Sequence, residues 1–94
     1  MGYYKDIIIK EVVGSRITAE NAEIDLKQGK IMTEEEEYLF SHFDIILLTL
    51  KKDTEGNLYI YKGYGIESKG IKLEKNDRIA INEIEDTIII YRGY

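Results

Sequence analysis

Three stretches of this chain place apolar side chains on consecutive positions with little polar alternation: residues 6–13 (DIIIKEVV), 44–50 (DIILLTL) and 87–91 (TIIIY). Each is rich in β-branched residues and too short for an independent helix, so each reads as a strand. A strand that is apolar on both faces must be covered on both. The three runs therefore predict an antiparallel-dominated sheet, or a small partial β-barrel, with further elements packed on it.

Helices are expected to supply that cover. Residues 33–43 (TEEEEYLFSHF) open on Thr33 and carry Glu36 three positions later, the pattern of a capping box. Glutamates fill the first turn, where the helix dipole favours negative charge, and Tyr38, Leu39, His42 and Phe43 form an apolar stripe at helical spacing. The segment is predicted to be a short helix lying on the sheet. Residues 18–28 (TAENAEIDLKQ) allow two readings. Thr18 can cap a helix that Gly29 would end, whereas Ala22, Ile24 and Leu26 alternate as in a strand entering a KQGK turn. Helix is the preferred reading. The expected class is thus α+β, a strand-rich antiparallel sheet or small partial β-barrel with one or two short helices packed on it.

The 44–50 run is expected to be a central strand covered on both faces. DTEGN at 53–57 reads as a turn whose Gly56-Asn57 pair accommodates positive φ, and residues 58–66 return as its partner strand. Beyond residue 68, apolar pairs at Ile71 and Leu73 and at Ile79 and Ile81, then the 87–91 run, are separated by turn residues. That spacing suits a meander in a small barrel or curled antiparallel sheet. No repeat, proline or Ser/Gly-rich linker divides the chain, and 94 residues match a single domain spanning 1–94.

Eighteen acids against thirteen bases give a net charge of −5, so the average field repels a phosphate backbone and counts against a nucleic-acid partner. With no cysteine, the chain has no disulfide, no thiolate nucleophile and no sulfur-based zinc site. Residues 1–10 lack the basic and apolar regions of a secretory signal, and no apolar run approaches the ~20 residues that span a bilayer. A cytoplasmic location, away from the membrane, is the expectation.

Catalytic sets are scarce. His42 is the only histidine, and beside Phe43 on the apolar stripe it suits a core-edge imidazole better than a general base. The glutamates at 34–37 with Asp44, and Asp53 with Glu55, fit no twelve-position calcium loop. Gly63-Tyr64-Gly65 lacks the third glycine of a phosphate-cradling loop and leads into no helix. No catalytic residue, metal site or cofactor is assigned.

KGYGI at 62–66 resembles the opening of the RNP1 signature of RNA-recognition motifs, and that resemblance implies bases stacked on a sheet. The pattern departs at Glu67, where it needs an aliphatic residue, and at Lys69, where it needs an aromatic one. Glycines within a strand also mark a bulge or a close backbone approach, which is the reading we adopt. Tyr59 and Tyr61 share one face of the same strand, and such a stripe can anchor a protein, stack bases or cap the rim of a core.

The function expected is that of a non-enzymatic protein-interaction module, such as a small viral or mobile-element factor or an adaptor that binds a host protein. The alternative is a nucleic-acid-binding small β-barrel that stacks bases on tyrosine. Partner-binding candidates are Tyr59, Tyr61 and Tyr64, the strand residues Ile88 and Ile90, and Glu34 and Glu35, whose acids suit a basic partner. Residues 87–91 would be an aggregation hazard as an uncovered edge. A homodimer through a sheet face or edge that includes Ile88, Ile90 or the Tyr59 and Tyr61 stripe is expected to cover them.

Overall fold

The computed structural model describes residues 4–64 and 72–94. Among them lie the strands Tyr4–Val13 (β1), Arg16–Ala19 (β2), Ala22–Asp25 (β3), Lys30–Thr33 (β4), Glu37–Leu39 (β5), Asp44–Lys52 (β6), Leu58–Tyr64 (β7), Arg78–Asn82 (β8) and Thr87–Arg92 (β9). They form one sheet in the order β5-β4-β3-β2-β1-β8-β9-β6-β7. Neighbours are antiparallel except β6 and β9, which run parallel.

β1 belongs to both halves of this sheet. Tyr4 to Ile8 pair with β8, whereas Ile9 and Glu11 to Val13 pair with β2, and the register shifts between Ile9 and Glu11. An extra residue in one strand bends it. The two halves share one core. Ile17, Ile24, Ile31 and Tyr38 of the β2–β5 meander cluster with Leu47, Ile79, Ile81, Ile88 and Ile90 of the other half, all 6% exposed or less. The meander therefore supplies the cover that the apolar runs demand.

This overturns the α+β expectation: the molecule is nearly all β, and among the described residues the one helical turn is a three-residue 3₁₀ segment, Phe40–His42. The predicted helix at 33–43 is instead a turn followed by β5. Its capping signal is real but local: Thr33 Oγ1 accepts the Glu36 N–H at 3.1 Å and donates to the Glu36 carbonyl at 3.1 Å. Continuing as helix would stack Glu34 and Glu37 one turn apart, a like-charge pair that destabilises helix. Extension instead points Tyr38 (3%) inward and Leu39 outward, and the 3₁₀ segment that follows begins by burying Phe40 (6%). Tyr38 Oη donates to Glu83 Oε1 at 2.7 Å, tying β5 to the β8–β9 turn.

The helical reading of 18–28 fails as well, and the alternating one fits. Asn21 takes φ +59° between β2 and β3, a conformation helices do not continue through, and Ile24 points into the core. Gly29 closes the next turn by donating to the Asp25 carbonyl at 2.8 Å. β9 is not an edge, since β8 and β6 flank it. β6 is interior too, but only Leu47 on it is buried, and Ile46, Leu48 and Leu50 on the opposite face are half-buried.

Candidate interaction surface

The 53–57 turn joins β6 to β7. Asp53 N–H donates to the Asn57 carbonyl at 2.9 Å, and Gly56 N–H donates to the Asp53 carbonyl at 3.1 Å. Gly56 sits at φ +89°, which a residue without Cβ adopts freely. Asp53 Oδ1 completes the tip by accepting the Asn57 N–H at 2.8 Å and the Glu55 N–H at 2.9 Å. These donors, Asn57 first, hold the Asp53 carboxyl below the ordinary carboxylate range.

β6 pairs with β7 out to Lys52 and Leu58, but its pairing with β9 stops at Thr49 and Arg92. The end of the hairpin thus projects past the sheet body, and every residue from 51 to 62 is exposed. Cross-strand partners share a face. One face of this arm carries Lys51, Tyr59 and Tyr61, and the other carries Leu50, Lys52, Leu58 and Ile60. Leu58 is 61% exposed, Ile60 59%, and Tyr59 and Tyr61 47% each. The Lys51 ammonium lies 4.3 Å from the centroid of the Tyr61 ring, a cation–π contact. A projecting two-stranded ribbon is marginal in water, and an edge strand that is apolar on both faces is a template for pairing.

The structure brings Tyr59 and Tyr61 together on the arm. Tyr64 ends β7, and its side chain lies outside the described residues, as do Gly65 and Ile66 of KGYGI and Ile71 of the expected meander. Ile88 and Ile90 are 0% exposed in the core, out of reach of any partner of the folded chain. Glu34 and Glu35 sit on the β4–β5 turn, toward the opposite end of the strand order, and line a groove of about 390 Å³ with Asp6, Glu20 and Asn21. A second groove, about 360 Å³, holds Asp6, Arg78, Ala80, Tyr91 and Tyr94; Arg78 Nη2 donates to Asp6 Oδ2 there at 2.7 Å. Asp6 raises the Arg78 pKa above its ordinary value. His42 is exposed at the end of the 3₁₀ turn, not on a core edge.

Leu58, Ile60 and Lys51 were not singled out from the sequence. The signal was present, because Leu58-Tyr59-Ile60-Tyr61 puts apolar or aromatic side chains on both faces of the first half of the strand. Comparison with protein-family models, curated proteins and solved structures finds no match. Among the described residues, no helix is long and apolar enough to cross a membrane, and no three His, Asp or Glu side chains group as metal ligands would.

Proposed function

We propose that this protein is a non-enzymatic interaction module whose binding surface is the β6–β7 arm. The observation that carries the reading is the exposure of Leu58, Tyr59, Ile60 and Tyr61 on both faces of an edge strand. Aromatic anchors have few rotatable bonds and lose little side-chain entropy when a partner covers them. A cytoplasmic adaptor or a small viral or mobile-element factor would act in this way, by occupying a partner rather than transforming a substrate. The groove lined by Glu20, Glu34 and Glu35 is a second place where a basic segment of such a partner would be attracted.

Base stacking on the arm is the other reading, and Lys51 on the face of the two tyrosines, with Lys52 and Lys62 on the other face of the arm, favours it within an otherwise acidic chain. One experiment separates the two. Wild type and a Tyr59→Ser/Tyr61→Ser variant, matched in circular dichroism, are used as bait for protein partners and titrated with single-stranded oligonucleotides at two salt concentrations. A protein retained by wild type and lost by the variant supports the module. Salt-dependent oligonucleotide binding lost in the variant supports base stacking. Identical behaviour of the two proteins in both assays contradicts the arm as the surface.

A further inference from the structure

We propose that the occupant of the β7 edge is a second copy of the chain, joined antiparallel about a two-fold axis that passes between the two Ile60 residues. This rests on the arm being the binding surface and goes further by naming partner, mode and register.

The turn fixes which backbone groups face outward. Asp53 and Asn57 are hydrogen-bonded across the hairpin, and such pairs alternate along antiparallel strands. Tyr59 and Tyr61 therefore direct N–H and C=O toward β6, while Leu58, Ile60 and Lys62 direct theirs away from it. β7 pairs with β6 over seven uninterrupted positions and contains no proline. The devices that normally blunt an edge are thus few, with Lys62 its only charge. The other edge of the sheet is better guarded, because β5 has three residues and follows a run of glutamates. A β5-to-β7 contact that would propagate into a filament is disfavoured, and a self-complementary β7-to-β7 contact closes on itself.

Outward residues must face outward residues, which limits the register. With the axis at Ile60, Ile60 faces the second copy's Ile60 and Leu58 faces the second copy's Lys62. Tyr59 then faces the second copy's Tyr61 twice over, in the closer non-hydrogen-bonded spacing. No like charges are opposed. Shifting the axis to Tyr61 leaves one tyrosine pair and sets Tyr59 against Gly63. A seven-residue edge is about 24 Å long and, with its flanking side chains, buries on the order of 500 Å² per copy. That falls below the ~800 Å² per partner of a standard interface, so the dimer is weak and concentration-dependent.

Sedimentation velocity from about 1 μM to about 1 mM tests this. Wild type is expected to pass from monomer to dimer across that range. Ile60→Pro removes one outward N–H and no bond to β6, so it should stay monomeric with an unchanged circular dichroism spectrum. Ile60→Lys and Ile60→Glu should each be monomeric alone and dimerise when mixed, because position 60 faces itself across the axis. A wild type that stays monomeric, an Ile60→Pro that still dimerises, or an Ile60→Glu that dimerises alone against Lys62 would each overturn the proposal. If wild type is monomeric while Tyr59→Ser/Tyr61→Ser still loses another protein, the arm stands as the binding surface and only the second copy is refuted.

Discussion

Asp77 is 2% exposed, and both of its oxygens are bound by Arg92, Nε to Oδ1 at 3.0 Å and Nη2 to Oδ2 at 2.7 Å. Oδ2 also accepts the Glu74 N–H at 2.8 Å, and Arg92 reaches the Lys72 carbonyl, so one ion pair clamps the turn before β8 onto the end of β9. Asp77 raises the Arg92 pKa in return. Asp77→Ala leaves the half-buried Arg92 guanidinium only Glu74, 3.5 Å away, and the Lys72 carbonyl, and should cost about 1–3 kcal/mol by chemical denaturation. Arg92→Lys keeps the charge but loses the fork, and should fall between that variant and wild type. Asp53 acts differently because it is exposed and titrates. Its folded pKa lies below its unfolded one, so its contribution is present above the unfolded value and is lost as pH falls through the folded value. The arm tip should hold at neutral pH and loosen in acid, below the usual carboxyl pKa of about 4. Amide exchange at Asn57 across that range reads the change, and Asp53→Asn should flatten its pH dependence.

Among the elements, strands declared themselves in the sequence more clearly than their company did. The three apolar runs all lie in strands, and DTEGN turns where expected, because β-branching and turn chemistry are local properties. The helix at 33–43 failed because a capping box specifies only its own four residues. Whether chain continues as helix or strand was decided by contacts far away in sequence, Tyr38 with Glu83 and Phe40 with the core. The Thr33 side chain still closes a turn, so Thr33→Ala should cost about 0.5–1.5 kcal/mol, read as a lower unfolding midpoint. Tyr38→Phe removes the bond to Glu83 and should cost a similar amount, while exchange in β5 speeds up more than in β1. The tyrosine stripe of the candidate site was legible through its period of two. Ile88 and Ile90 were misplaced because an apolar strand looks the same from the sequence whether it lies at an edge or between two neighbours.

Across the whole molecule, the shared β1 lets one meander fold over the rest, and Ile17, Ile24, Ile31, Ile79, Ile81, Ile88 and Ile90 fill the core between the halves. Large apolar side chains also stay exposed at Ile8, Val13, Ile84 and Tyr94, but the β6–β7 arm exposes four in a row, Leu58 to Tyr61, and these contribute little to the monomer core. Tyr59→Ser/Tyr61→Ser should therefore change monomer stability by less than about 1 kcal/mol, as exposed substitutions do, while abolishing association. The most direct measurement of the arm's role is amide exchange at Ile60, followed by NMR as protein concentration rises and as a captured partner is added. Its N–H points away from β6, whereas those of Tyr59 and Tyr61 point toward it and serve as internal references. Occupation of the edge predicts that Ile60 exchange slows strongly with concentration or partner while the references change little. Ile60 exchanging at the same fast rate under every condition would contradict the claim that β7 is where this protein binds.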